Sequence, residues 1–399
     1  MKRIFVIIII VCFSFFICGC SYKYKFGDFE FVGDRLDAYT GTDTEVIIPH
    51  AYVNGSKIIE VKYIDKKAFT GNSIIKSVLL PETLEKLEKE QFKDCHSLEY
   101  VYMFDGPISI PESVFENCYN LISIRASSNV TAIKDKAFKN CASLSSVILP
   151  NTMVSIGAEA FSNCISLSSL NLNNELKEIK EHAFANCVSL ENVSLTENVQ
   201  TIGDYAFSGC VNLKNIEFNS KSFTLGDYAF SNCFSLEKLN LSNCTKMSAL
   251  CFLGMDNLKE ISLENNNTLQ YRDGIIYDRS SLSLIYCPPW ATNEKVIIGA
   301  DIINIDSYAF YNNQYIREIV IKAPYILLAK RGIKILKYAF YNCPNLSSVS
   351  SNYSIGLIEE YAFYNCPSLQ SVIVHESITM NDNSFFGSLN VEVTKGLPN

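Results

Sequence analysis

The sequence is poor in the residues on which most enzymes and nucleic-acid binders depend. It holds one tryptophan, Trp290, and four histidines, at 50, 96, 182 and 375. Its 34 Lys and Arg are outnumbered by 42 Asp and Glu, for a formal charge of −8. No face-long basic cluster is visible, so the electrostatic footprint of a nucleic-acid partner is missing. No G-x-S-x-G, H-E-x-x-H, P-loop or dinucleotide fingerprint occurs. Zinc sites ask for close pairs of Cys and His, and beyond "CGC" at 18–20 there are none. Neither a metal nor a cofactor is expected, and no catalytic residues are assigned. Disorder is excluded too, because 48% of the residues are apolar and 19% charged.

A membrane-spanning helix is also missing. The start, "MKRIFVIIIIVCFSFFICGC", has a basic end (Lys2, Arg3) and an apolar run of 15 residues from Ile4 to Cys18. That is short of the roughly 20 residues needed to cross a bilayer and reads as the apolar segment of a signal peptide. The closing "ICGC" resembles the bacterial lipobox. The resemblance implies that residues 1–19 are removed and that Cys20 becomes a lipidated N-terminus. Cys18 departs mildly from the usual pattern. An ordinary signal peptide or an uncleaved anchor is the alternative. Either way the expectation is an extracytoplasmic protein, held by lipid at a bacterial membrane, in the outer membrane or at the cell surface.

What is present in abundance is one phrase. "AFKNCASL" begins at Ala137, "AFSNCISL" at Ala160, "AFANCVSL" at Ala183, "AFSGCVNL" at Ala206 and "AFSNCFSL" at Ala229. Phenylalanines fall at 69, 92, 115, 138, 161, 184, 207 and 230, at a constant interval of 23, then at 252, 310, 340, 363 and 385. In the unit that starts "LSSVILPNTMVSIGAEAF", the alternation of Leu144, Val147 and Leu149 predicts a short strand with one buried face. Pro150 suits its end. Val154 and Ile156 are expected to supply a second apolar pair on the far side of the coil. Ala160 and Phe161 then turn the corner. No unit can bury its own apolar face, so the units must stack. The fold class expected is a repeat solenoid of 23-residue units, with short parallel β-strands joined by turns or 3₁₀ corners. The buried spine would contain Phe138, Phe161, Phe184, Phe207 and Phe230, lined by Cys141, Cys164, Cys187, Cys210 and Cys233.

The segments "LSSVILP", "TIGDYAF" and "FSNCISL" resemble the strand, back and turn segments of the BspA-like, or Treponema pallidum-type, leucine-rich repeat. The resemblance covers roughly residues 40 to 390. It implies a cell-surface protein that contacts other proteins, with adhesion to host matrix or neighbouring cells as the family's described role. The chain divides on this reading into a leader (1–19), an anchor and lead-in (20–40), a first block of repeats (41–252), irregular rungs with an insertion (253–309), and a second block with a C-terminal cap (310–399). The insertion, "LQYRDGIIYDRSSLSLIYCPP", reads as a β-hairpin around "DRSS". A second insertion surrounds "APYILLAKRG". Insertions in solenoids usually map to loops on one face, sometimes the binding face.

The repeated cysteine admits three readings: a disulfide framework, reactive or metal-binding thiols, or packing. Adjacent rungs bring equivalent Cα atoms close enough for a disulfide, but parallel Cβ vectors do not suit one. The equivalent position is Asn72, Met255, Asn313 or Ser388 in other rungs. A buried, reduced column of modest-volume filler is the expectation, with some disulfides as the alternative. His182 is expected to be a solvated side chain. Cys95 and His96 are adjacent, but no third group is indicated to orient them. Recurring acids such as Asp204 and Asp227 read as solvent-facing turn residues.

Function is then expected on the outward side of the strands. Read rung by rung, the middle of the chain presents Ser and Asn, and the early rungs present Tyr100, Tyr102, Arg125 and Ile148. Those are the residue types enriched at protein-interface hot spots, although sheet faces also carry Tyr and Ile for propensity alone. The expectation is a non-catalytic surface lipoprotein that binds a protein ligand. The alternative is a periplasmic or envelope scaffold or glycan-binding module.

Overall fold

The computed structural model describes residues 23–103, 109–125, 128–322, 332–351, 355–374 and 378–395. Cys20 lies outside them, as does most of "APYILLAKRG". The chain forms a β-solenoid whose rungs each carry a front strand, a turn, a back strand and a corner.

The front strands run parallel in one register. Glu45–Ile47 pairs with Ser77–Leu79, then Tyr100–Tyr102, Ser123–Arg125, Ser146–Ile148 and Ser169–Asn171. Parallel pairs Asn192–Leu195 with Asn215–Phe218, and Lys238–Asn240 with Glu260–Ser262, continue the series. The back strands are as short as two residues. They run from Ser109–Ile110 through Ala132–Ile133, Ser155–Ile156, Glu178–Ile179, Thr201–Ile202 and Phe223–Leu225 to Cys244–Lys246. Such short strands hold only because stacking hydrogen-bonds each to the next rung and buries its apolar side.

Between the sheets runs the phenylalanine spine. Ring centroids lie 5.4 Å apart from Phe115 to Phe138, 5.1 Å to Phe161, 5.3 Å to Phe184, 5.3 Å to Phe207 and 5.8 Å to Phe230. These distances follow the roughly 4.8 Å spacing of paired strands. The rings are buried and close to parallel, with 2° between Phe161 and Phe184. The corner that holds them is itself a ladder: Glu159, Phe161 and Asn163 donate from their backbone N–H groups to the carbonyls of Glu181, Ala183 and Ala185. Two residues of most corners take the left-handed region, as at Glu159 (φ 54°) and Asn163 (φ 62°). Asn tolerates that region better than other non-glycine residues. Its amide also stacks, with Asn140 Nδ2 donating to Asn117, Asn163 to Asn140 and Asn186 to Asn163, at 2.7, 2.7 and 2.8 Å.

Three expectations are corrected. The inward partner of Ile156 is Met153, which is buried, and not Val154, which is 39% exposed. The turn at Pro150, closed by the Met153 N–H on the Pro150 carbonyl, breaks the two-residue alternation between front and back strands. The insertion after residue 264 does form the expected hairpin around "DRSS", Ile275–Asp278 pairing with Ser283–Tyr286, but it is not a loop on one face. Leu269–Arg272, Ile275–Asp278 and Ser283–Tyr286 form an antiparallel meander inside the stack. Its first turn is the two-residue Asp273–Gly274, both at positive φ, as a hairpin of this type requires. Ile276 packs into the core of the first block, and its neighbours Ile275 and Tyr277 pack into that of the second. Tyr286 then stacks on Phe252 at 4.6 Å. Ser283–Tyr286 pairs in parallel with Asn304–Ile305 and restarts the solenoid. The third correction concerns His182: it is half-buried, with its ring stacked on Tyr205 at 4.6 Å.

The N-terminal end is closed by antiparallel strands Tyr24–Phe26, Phe29–Val32 and Arg35–Tyr39. The Tyr39 ring lies 5.7 Å from Phe69 and so covers the first ring of the spine. The second block repeats the pattern, with front strands Lys295–Ile298, Glu318–Ile321, Ser348–Ser351, Ser371–Val374 and Glu392–Lys395.

Candidate functional site: the outward face of the front sheet

In a front strand the central residue points into the core and its two neighbours point out, because side chains alternate. Val78, Val101, Ile124, Val147 and Leu170 are accordingly buried. The outward row that runs through the strand ends is Ile47, Leu79, Tyr102, Ile148 and Asn171, with the backbone of Arg125 in register between Tyr102 and Ile148. Ile47 is 65% exposed, Tyr102 47% and Ile148 78%. Tyr100 lies two residues from Tyr102 on the same side, with ring centroids 6.4 Å apart. The structure thus brings Tyr100, Tyr102 and Ile148 to one face and threads the backbone of Arg125 between them. The Arg125 side chain is outside the described part.

Ile47 belongs to this row and was not assigned to it from the sequence. Its strand lies ahead of Phe69, where the 23-residue spacing begins, so no periodic position marked it. The pattern "EVIIP" at Glu45–Pro49, so close to "SVLLP" at Ser77–Pro81, was the available sign.

From Asn171 to Ser262 the outward positions are polar, before an apolar side chain returns at Ile297, which is 50% exposed. Asn215 Nδ2 donates to Asn192 at 2.8 Å, and Ser194 Oγ to Glu217 at 3.2 Å. Lys76–Glu99, Lys214–Glu191 and Lys238–Glu260 pair across neighbouring rungs at 2.9, 2.9 and 2.6 Å. Exposed pairs of this kind contribute little to stability. The pairs at Lys214 and Lys238 lie between the early apolar row and Ile297 of the second block.

The cysteines lie on the other side of the wall. Cys141, Cys164, Cys187, Cys210 and Cys233 are free thiols with no exposed surface. Each Sγ donates to the carbonyl of the phenylalanine one rung earlier, at 3.2, 3.2, 3.3, 3.2 and 3.2 Å. The position is therefore more than a filler of modest volume. It is a hydrogen-bond donor, and this explains the substitutions within the chain. Ser388 Oγ donates to Phe363 O at 2.8 Å, and Asn313 Nδ2 to Pro288 O at 3.1 Å. Met255 cannot donate, and Asn72 instead accepts from the Ile74 and Ile75 N–H groups at 2.9 and 3.0 Å; these two are exceptions. Burial pushes the thiols up, Cys95 and Cys210 to about 12, the opposite of what a reactive thiolate needs.

Cys95 directs its thiol inward to Phe69 O at 3.0 Å, whereas His96 is exposed and stacks on Tyr119 at 5.0 Å. The two do not meet. Asp204 is a turn cap, its carboxylate accepting the Asp227 N–H at 2.8 Å. Among the described residues no group of three or more His, Cys, Asp and Glu is placed to hold a metal ion. Among them, too, no helix is long and apolar enough to cross a membrane.

Comparison with known proteins places this geometry. The model of the BspA type leucine rich repeat region matches in six copies, over residues 62–191, 177–295 and 290–395. A leucine rich cell surface protein from Faecalibacterium prausnitzii A2-165 has a similar crystal structure, with a TM-score of 0.53 at 20% identity, covering 94% of this chain and 95% of that one. A leucine-rich repeat protein from Bacteroides ovatus ATCC 8483 gives a TM-score of 0.51 at 22% identity, over 94% of this chain and 81% of that one. No curated protein matches.

Proposed function

Because the chain belongs to the BspA-type leucine-rich repeat family, we propose that it is a non-catalytic binding protein displayed outside the cytoplasm, held by lipid at Cys20, that captures a protein ligand on its front sheet. Adhesion to host or neighbouring cells is the role this reading favours. The observation that carries it is the apolar row Ile47–Leu79–Tyr102–Ile148. Large side chains stand out of a rigid sheet where the fold does not need them, since the same positions further along are Asn171 and Ser194. Exposed aromatic and aliphatic anchors on a preordered scaffold are the features that give protein interfaces their hot spots.

The full chain would be screened against extracellular-matrix and bacterial surface proteins by surface plasmon resonance, beside a Tyr100→Ser, Tyr102→Ser variant. Loss of about tenfold or more in affinity on that double substitution is expected of a hot spot. Affinity unchanged by the double substitution would remove this face from the account.

A further inference from the structure

The second block carries a surface that the front sheet does not explain. The corner reads "YAFYN" three times, from Tyr308, Tyr338 and Tyr361. The first tyrosines form one column, with ring centroids 5.1 and 5.2 Å apart along the solenoid. The second tyrosines, Tyr311, Tyr341 and Tyr364, form another, at 5.3 and 4.8 Å. Within one rung the columns lie 5.8–6.1 Å apart, and Tyr338 meets Tyr341 at 70°. Two columns at such an angle cannot both lie flat across the axis. Their rings lean in opposite senses, like tiles, and leave ring edges and strips of face uncovered.

The solenoid itself does not call for the second column, whereas the first continues a column already present at Tyr205 and Tyr228, 4.6 Å apart. Positions equivalent to Tyr311, Tyr341 and Tyr364 are Lys139, Ser162 and Ser208 in the first block. The first column stands in the left-handed region, with Tyr308, Tyr338 and Tyr361 at φ 60°, 59° and 58°. A bulky side chain there is strained. All six rings are half-buried, yet among the described residues the hydroxyls of Tyr308, Tyr311, Tyr338, Tyr341 and Tyr364 have no protein acceptor. The surface is therefore a preordered aromatic relief with unspent hydrogen-bond donors.

We propose that this double column binds a proline-rich segment in the polyproline II conformation, lying along the solenoid axis. Such a segment has no internal hydrogen bonds, so its carbonyls are free to accept from phenol hydroxyls. Its prolines pack against aromatic edges, the recognition mode of aromatic-lined grooves in general. The dimensions agree: two rungs at the roughly 4.8 Å spacing of paired strands advance about 9.6 Å, close to one polyproline II turn of about 9.3 Å. Little rotamer freedom is left to lose, because each ring is already stacked.

The test is fluorescence anisotropy of a labelled ten-residue polyproline peptide titrated with the full chain. A Gly/Ser peptide of equal length and a neutral soluble glycan serve as comparison probes. Saturable binding of polyproline alone is expected, weakened about tenfold or more by Tyr341→Ser with Tyr364→Ser and unchanged by Tyr102→Ser on the front sheet. Circular dichroism confirms that each variant is folded. Serine occupies the equivalent corner position at Ser208 and Ser231, so the fold accommodates it there. No saturable binding of polyproline, equal binding of the Gly/Ser peptide or the glycan, or binding indifferent to the tyrosine substitutions would each overturn the proposal. Because the front-sheet variant is measured separately, failure here leaves the front-sheet reading standing.

Discussion

The thiol of Cys187 donates to the carbonyl oxygen of Phe161, 26 residues earlier and one rung away, at 3.3 Å. This contact fastens each corner to the one before it. Replacing Cys187 by Val keeps the bulk and removes the donor; the Phe161 carbonyl keeps the Cys164 N–H at 3.1 Å, so the expected cost is that of one net hydrogen bond, about 0.5–1.5 kcal/mol. Cys187→Ser retains a donor, as Ser388 does, and is expected to cost clearly less. Thermal melts followed by circular dichroism would rank the two; a valine variant as stable as the serine variant would show that volume alone decides the position.

The thiols also set an alkaline limit. Burial raises Cys95, Cys210 and Cys244 from an ordinary 9.0 to about 12. A group raised on folding contributes its stability in full below its unfolded value and loses it as pH climbs toward the folded one. Stability is therefore expected to fall between pH 9 and pH 12, by about 1.4 kcal/mol per pH unit for each such thiol. Denaturant midpoints measured across that range should decline less steeply for Cys210→Ala than for the parent chain. Equal slopes would contradict the assignment.

Three glycines form a tight seam between successive rungs. A Cβ on Gly226 would come within 2.4 Å of the Asp204 backbone nitrogen, one on Gly157 within 2.6 Å of Asp135 N, and one on Gly203 within 2.7 Å of Glu181 N. Backbone cannot yield as a flexible side chain can. Gly226→Ala is expected to destabilise by about 1–3 kcal/mol, the usual cost of overpacking. A melting temperature equal to that of the parent would show that the rungs slide apart freely.

Lipid attachment at Cys20 predicts that Cys20→Ala moves the protein from the membrane to the soluble fraction. Each buried CH₂ of an acyl chain supplies about 0.8 kcal/mol of anchoring. Fractionation of cells that express the two forms is the measurement. A variant that stays with the membranes would point to an uncleaved anchor.

Much of the molecule was legible before any coordinates. A constant interval between phenylalanines fixes the rung, because equivalent residues must stack, and the alternation at Leu144, Val147 and Leu149 fixes the front strand. Tyr100, Tyr102 and Ile148 could be placed on the outward face by that parity alone. Parity failed at the turn: Met153 is inward and Val154 outward, since the chain rotates between front and back strands at Pro150. The donor role of the cysteines was likewise hidden, because its acceptor is a backbone carbonyl of another rung and carbonyls leave no mark in sequence. Ile47 was missed because its strand precedes the period.

Sequence by itself determined the repeat, the spine and the sense of each strand's two faces, all of which follow from local periodicity and the need to bury an apolar side. Only the tertiary structure decided what the irregular segments do. The meander at residues 269–286 looked like a decoration, yet Ile276 faces one core and Ile275 and Tyr277 the other. Which side a residue packs against depends on the neighbours above and below it, and in a solenoid those neighbours are a whole rung away along the chain.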